Sequence, residues 1–570
     1  MADSLKTVKP TRARIAAVIR DPWIILSLGL MAILLFLIFY PQLWIVKTSM
    51  SAETGKSLTL GNYGRFFTEY RFKTALVHSA VVSLLSLAGA TLIAVPMAFI
   101  LARYVIPGKQ FILSLVTMSV MSPPFLGAYA WVILLGRLGI LSQFLRKIGI
   151  PFGTIVGLPG IVWVISWVTY PLIFLVTYDA FCSLDPSMEE AGMSVGASRL
   201  RTNLNITLPL AMPGIITGAY MAAMAAFADF GTPVIIGGNY SVLPVLVYGE
   251  FLSEVGGSYA MASTGSVIML VVSTLVLLLQ RYYLSRREYS SVGAVRVQPR
   301  RLSPGKTVLA LAGIMFVILI SFVPHITVII TSFMKWQWGI VKPLFTLANY
   351  AKVWSEASKP IVISFFIAGV ATLLDIVIGL FIAYIIVKKN YKGIAPGLNT
   401  LVMIPYIIPG TVLGIGFILI FNKPPVILTG TWAILCISYF VRKLPFAVKS
   451  IESSLYQVHP SLEEAAMSVG ASSFRAFRDI TAKLILQGIV SGGTMSFLMN
   501  ITEVSSTIIL YAAPWITMTI VIFTNAISAG SDFGLASAMT VVLMASVYIP
   551  LYVLNRLVRG RGGVQAVQTT

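Results

Sequence analysis

Charged residues are scarce in this chain of 570 residues: 11% of it is charged and 57% hydrophobic, whereas a soluble globular domain carries about a quarter charged residues. That shortage excludes an ordinary soluble fold. Acids are scarcer than bases, 20 Asp and Glu against 41 Lys and Arg, for a formal net charge of +21. Cys182 and Cys436 are the only cysteines and stand far apart, so neither a disulfide framework nor a metal knuckle can be built from them. The three histidines, His78, His325 and His459, share no spacing on one helix face, which argues against a metal site built on them.

What the chain does have is long apolar runs. Segments near the ~20 apolar residues that cross a bilayer fall at about 23–46, 76–101, 111–136, 155–178, 205–227 and 261–281 in the first half. In the second half they fall at about 307–330, 361–387, 398–421, 431–448, 484–502 and 536–555. Lipid-exposed backbone must satisfy its own hydrogen bonds, so the expected fold is all-α and polytopic, with about twelve transmembrane helices. With the N-terminus placed inside, most Lys and Arg fall in cytoplasmic segments, densest in the N-terminal tail and around 284–306, as the positive-inside rule requires. The basic excess is then a topology signal facing anionic lipid, and nucleic acid is not a partner. The basic start runs into a long apolar span with no clear small-residue cleavage site, which reads as an uncleaved first span.

The decapeptide EEAGMSVGAS at 189–198 returns as EEAAMSVGAS at 463–472, with nine of ten positions identical at an offset of 274. At the same offset Pro186 matches Pro460, Arg201 matches Arg475, Gly218 matches Gly492, and Asp229 falls on Glu503. The chain is a tandem duplication. Six spans separate the two copies, so both decapeptides sit on the same face and the two six-helix repeats are parallel, related by an axis along the membrane normal. The domains expected are 1–283 and 307–570, joined by a basic, Pro- and Gly-bearing linker, 284–306, on the cytoplasmic side.

Each decapeptide opens on a helix-start signature, DPSMEE or HPSLEE. Proline suits the first turn, and Ser187 with Glu190, like Ser461 with Glu464, has capping-box spacing. Gly196 and Gly470 are suited to a left-handed C-terminal cap. A short cytosolic helix follows in each half, acidic at its start, with small residues (Ala191 and Gly192, Ala465 and Ala466) where another surface could approach closely. This reads as a docking element, and its repetition would follow if two equal partner subunits bind two equal halves.

The motif EEAxMSVGAS, with ITLP at 206–209, resembles the glutamate-alanine-alanine loop of permeases in binding-protein-dependent ABC importers. The resemblance covers nearly the whole chain and implies the type I importer permease fold. It further implies that Glu189, Glu190, Ala191, Gly192, Gly196, Glu463, Glu464, Ala465, Ala466 and Gly470 form coupling helices seated on two copies of an ATPase subunit. ATP and magnesium would be bound by that partner; the chain itself would hold no cofactor and catalyse no reaction. A periplasmic or extracellular binding protein would deliver the solute to this multi-pass protein of a bacterial-type inner membrane, with both termini cytoplasmic. The fused arrangement is similar to the ferric-iron type; permeases for aminoalkylphosphonates, thiamine and phosphorylated sugars share the same broad pattern. One departure is that Leu208-Pro209 becomes Ala482-Lys483 in the second half, so the two halves are expected to respond unequally to the same damage. The SPGKT at 303–307 lacks the upstream glycine of a phosphate loop and leads into a span.

Three carboxylates are candidates for the translocation pathway. Asp375 lies in the run ATLLDIVIGL, at membrane depth, where an ionisable group is either functional or paired inside the bundle. Asp229 and Glu503 fall just beyond or at the end of the fifth span of each half, in segments (228–260 and 503–535) free of Lys and Arg. They are expected either to face each other as a negative pair at the outer mouth, favouring a cation, or to cap re-entrant helices. An ion-coupled secondary transporter also uses parallel six-helix halves and intramembrane carboxylates, and a cation channel could use the Asp229 and Glu503 pair; neither accounts for the twin docking helices.

Overall fold

The computed structural model describes residues 22–52, 57–120, 122–253, 257–286, 299–527 and 532–559. Helices stand where the apolar runs lie. In the first half they are α1 (Pro22–Ser49), α2 (Tyr70–Arg103), α3 (Lys109–Val120), α4 (Pro124–Leu135), α5 (Leu158–Ser183), the short α6 (Pro186–Ser194), α7 (Leu208–Phe227) and α8 (Tyr259–Ser285). In the second half they are α9 (Pro304–Ser332), α10 (Ser358–Tyr384), α11 (Ile394–Met403), α12 (Gly410–Phe421), α13 (Trp432–Tyr456), the short α14 (Ser461–Ser468), α15 (Leu486–Ile501) and α16 (Phe533–Arg559). All twelve expected spans are helical. A small antiparallel hairpin, β1 (Met334–Gln337) and β2 (Ile340–Phe345), follows α9.

The third span of each half is broken into two helices where the sequence reads as one continuous run. The breaks fall at Pro123 and Pro409, both in extended conformation at the start of the next helix. Proline donates no N–H and disfavours helical backbone in the residue before it; single prolines are carried inside α1, α2, α5 and α13, whereas at the breaks the proline is followed by a second helix-weakening residue, Pro124 or Gly410. In the second half the two pieces meet at 106°. The fifth span behaves differently in the two halves: Arg199–Phe227 is one long helical stretch, whereas Ser473–Leu484 and Leu486–Ile501 meet at 71°.

Within each half the second, fourth and fifth spans form the packed centre, α2 with α5 and α7, and α10 with α13 and α15. The repeated glycines allow this close packing. A side chain on Gly218 would come within 2.9 Å of the Ile173 backbone, and one on Gly492 within 3.1 Å of the Ala447 backbone; Ile173 and Ala447 are themselves repeat equivalents. Replacing either glycine would force the backbones of two helices apart.

The first helices are exchanged between halves. Besides its own α8, α1 packs against α11 and α12, and besides its own α16, α9 packs against α3 and α4. The interface between halves is further joined by Tyr129 of α4, which donates to the Phe533 carbonyl at 2.7 Å.

Candidate functional site, the twin helices and the paired carboxylates

The two decapeptides form α6 and α14, two short helices of closely similar build. Gly196 (φ +91°) and Gly470 (φ +94°) follow them in the left-handed region, where a side chain would be strained. The starts differ from the expected capping box. In α6 the cap is Asp185, whose carboxylate accepts the Ser187 N–H at 2.9 Å; that bond holds the Asp185 carboxylate below its usual pKa. In α14 the imidazole Nδ1 of His459 takes the Ser461 N–H at 3.3 Å. The residue before each proline reaches the first free N–H groups, so Ser187 and Ser461 are not needed as caps.

The paired glutamates divide their roles. Glu190 and Glu464 are exposed, as are Ala191 and Ala465. Glu189 instead turns inward: it is 5% exposed, in ion pairs with Arg103 of α2 at 2.7 Å and with Arg300 at 3.7 Å, and it accepts the Thr207 hydroxyl at 2.7 Å. Its equivalent Glu463 is half-buried, accepting from the Tyr384 hydroxyl at 2.9 Å and from the Thr481 hydroxyl. Thr207 and Thr481 reach these carboxylates from π-helical turns at equivalent positions, Asn203–Thr207 and Phe477–Thr481. Such turns insert an extra residue into the helical repeat and re-aim a side chain. Gly192 is also internal, since a side chain there would meet Ile206 at 2.6 Å. Its small size serves packing within the chain, and Ala191 with Ala465 remain as the small residues open to another surface.

Exposed apolar side chains surround those alanines, a feature not anticipated from sequence. Met188 is 52% exposed and its equivalent Leu462 44%, while Val195 and Val469 are both 86% exposed. Apolar groups left in the open at matched positions mark an interaction surface. The signal available in the sequence is a valine kept in both copies just before the left-handed glycine, where a chain is turning at the surface. Beside α14 opens a cleft of about 350 Å³ lined in part by Lys388, Lys389, Tyr456, Glu463, Glu464 and Met467.

Asp229 and Glu503 share a repeat position but not an environment. Asp229, half-buried, accepts the N–H groups of Gly231 at 3.0 Å and Thr232 at 3.4 Å, the first of the short helix Gly231–Ile236. Glu503 is 5% exposed and pairs with Arg442 and, at 2.8 Å, with Lys443; the Ser506 N–H adds a bond at 3.2 Å. The expectation that both carboxylates lack a basic partner is therefore corrected for Glu503. Its cations come from α13, about 60 residues earlier in the chain, where the first half has Val168 and Thr169. The two segments do approach across the interface: a side chain on Gly231 would lie 3.9 Å from Val504, and the rings of Phe230 and Phe523 are 5.9 Å apart.

Asp375 is fully buried and accepts from Ser496 and, at 3.2 Å, from Asn500. It ties α10 to α15. His78 stacks on Tyr240, His325 binds the Tyr548 hydroxyl and His459 caps α14, three separate places. Among the described residues no group of three or more His, Cys, Asp or Glu is placed to hold a metal ion.

Comparison with known proteins gives one consistent family. The family described as binding-protein-dependent transport system inner membrane component matches the chain twice, at residues 90–289 and 375–561. A ferric transport system permease protein of Actinobacillus pleuropneumoniae is 31% identical over 448 residues, 75% of this chain and 63% of that protein. A putative ferric transport system permease protein of Haemophilus influenzae is 30% identical over 517 residues, 86% of this chain and 79% of the relative. A putative 2-aminoethylphosphonate transport system permease protein of Salmonella paratyphi A is 25% identical over 253 residues, 44% of this chain and 94% of the relative.

Proposed function

Since the chain belongs to the binding-protein-dependent transport system inner membrane components, with the family domain present twice, we propose that it forms the translocation pathway of an ATP-driven importer of ferric iron. The two fused permease domains are 1–283 and 307–570, with 284–306 between them on the cytoplasmic side together with both termini. A separate binding protein docks on the outer face and releases the ion. Two ATPase subunits, which carry ATP and magnesium, receive α6 and α14 as coupling helices. This chain does no bond chemistry. ATP-driven closure of the ATPase pair moves α6 and α14 together and opens the pathway outward, and hydrolysis returns it. For that to work the helices must contact the ATPase with different energies in the two states, since only a differential interaction shifts a conformational equilibrium.

The observation that carries this reading is the pair of matched surfaces on α6 and α14, each an exposed alanine ringed by exposed apolar side chains. Two equal surfaces on one chain fit two copies of one partner. Ferric iron is preferred because three of the four first relatives, each covering three quarters or more of the chain, are described as ferric permeases, whereas the aminoethylphosphonate relative matches less than half of it. The deciding measurement is uptake of radiolabelled iron into proteoliposomes holding the permease and ATPase subunits, with iron-loaded binding protein outside and ATP inside. Uptake that requires ATP and persists without an ion gradient is the expected result. Uptake driven by a proton or sodium gradient alone would overturn the proposal.

A further inference from the structure

The linker between the halves is not a slack tether at its C-terminal end. Arg300 lies alongside the end of α2, its N–H donating to the Arg103 carbonyl at 2.9 Å and its carbonyl accepting the Val105 N–H at 3.0 Å, as a short parallel bridge. Its guanidinium reaches Glu189 on α6. Two residues on, Leu302 packs into the first half's core beside the start of α9. The helix that opens the second half is therefore attached at its base to the docking helix of the first.

The same relation holds on the other side by different chemistry. Trp23, at the base of α1, donates its indole N–H to the Ser473 hydroxyl at 3.1 Å, just past α14. Its ring lies 4.7 Å from that of Tyr384 and 5.6 Å from that of Phe477, with the Lys389 ammonium 5.4 Å from the ring centroid. Tyr384 is the residue that holds Glu463. The helix that opens the first half is thus fastened beneath the docking helix of the second.

We propose that Arg300 and Trp23 are positioning residues that latch each docking helix to the exchanged first helix of the opposite half, so that a push on α6 is delivered to α9 and a push on α14 to α1. Each docking helix then moves an element that reaches across the interface, and neither half can change state alone. The latch on α6 is ionic and partly wetted, with the Arg300 side chain 40% exposed; the latch on α14 is aromatic and buried, with Trp23 5% exposed. The role in transport rests on the reading of α6 and α14 as ATPase-docking helices. The attachment itself does not.

The test uses spin labels on the full-length permease in nanodiscs, on Ser194→Cys and Lys306→Cys for the first latch and on Ser468→Cys and Leu28→Cys for the second, with the two native cysteines replaced by serine. Without any ATPase present, each pair gives one narrow distance distribution. Arg300→Gln broadens the first and leaves the second, Trp23→Leu does the reverse, and Arg300→Lys restores the first. Raising the salt concentration loosens the first pair only, because exposed charges are screened and aromatic packing is not. With ATPase subunits assembled, Arg300→Gln lowers substrate-stimulated hydrolysis about fivefold, the lower end of ordinary coupling between sites, while basal hydrolysis and ATPase capture stay unchanged. Unchanged distances in Arg300→Gln and Trp23→Leu, or full stimulation in both, overturn the latch. Failure of the wild-type permease to capture any ATPase would overturn the proposed function instead, with the distance measurements still deciding the attachment.

Discussion

Helices α6 and α14 are nearly the same in sequence, yet they are held by different chemistry. Outward they agree: Glu190 and Glu464, Ala191 and Ala465, Val195 and Val469 occupy matched and similarly exposed positions. Inward they diverge, because the end of the second span contributes Arg103 in one half and Tyr384 in the other. Glu189 therefore sits between two guanidiniums and Glu463 against a phenol. The outward face is kept in both copies while the contacts behind it have changed, the pattern that two copies of one partner would leave.

Removing the charge from each inward glutamate should separate the two helices most. Glu189→Gln leaves Arg103, whose side chain is 7% exposed, without its counter-ion, and breaking a buried pair from one side costs about 3–5 kcal/mol. Glu463→Gln removes a charged acceptor from Tyr384 and Thr481 but strands no cation, and a lost hydrogen bond of that kind costs about 1–3 kcal/mol. The melting midpoint of the purified permease should fall clearly further for the first variant than for the second. Equal falls would show that the difference behind the two helices is energetically silent.

Substitution on the shared outward face should erase the difference. Ala191→Arg and Ala465→Arg place a bulky charge on the face proposed to meet the ATPase, at about 1–3 kcal/mol for an overpacked contact. Both variants should insert normally and melt like the wild type, and both should lose capture of the ATPase subunit to a similar degree. Normal capture and transport in both would mean that the alanines do not face the partner.

Much of this architecture is legible in the sequence alone. The twelve spans follow from run length, because a bilayer imposes one dimension on every segment that crosses it. The twin helices follow from a repeat with proline at the start and glycine at the end. Three features are not legible in that way. Glu189 and Glu190 are adjacent and chemically identical, and only the position of Arg103, about 86 residues earlier, decides which one turns inward. Arg442 and Lys443 reach Glu503 from another helix, so counting charges along 503–535 cannot find them. The exchange of α1 and α9 is a choice between two similar halves, which the hydrophobic pattern of either helix does not distinguish. Each of these is a pairing between distant segments, for which local sequence carries no signal.

The smallest effect is expected at Asp229, where the halves differ for the opposite reason. Glu503 is an ion among ions; Asp229 is a cap. Its carboxylate accepts two backbone N–H groups at the start of a six-residue helix, a task that asparagine performs about as well as aspartate. Asp229→Asn keeps the size and the acceptor oxygen and removes only the charge. If capping is its role, the melting midpoint should stay within the shift of a few tenths of a kcal/mol that separates good capping residues, and iron uptake with saturating binding protein should be unchanged. Asp229→Leu, which removes the acceptor, should cost about 1 kcal/mol, as lost caps do. Should Asp229→Asn instead slow uptake while melting like the wild type, the charge itself would be acting on the passing cation. The pathway would then be asymmetric, with one free carboxylate on the side of the first half facing a neutralised one on the side of the second.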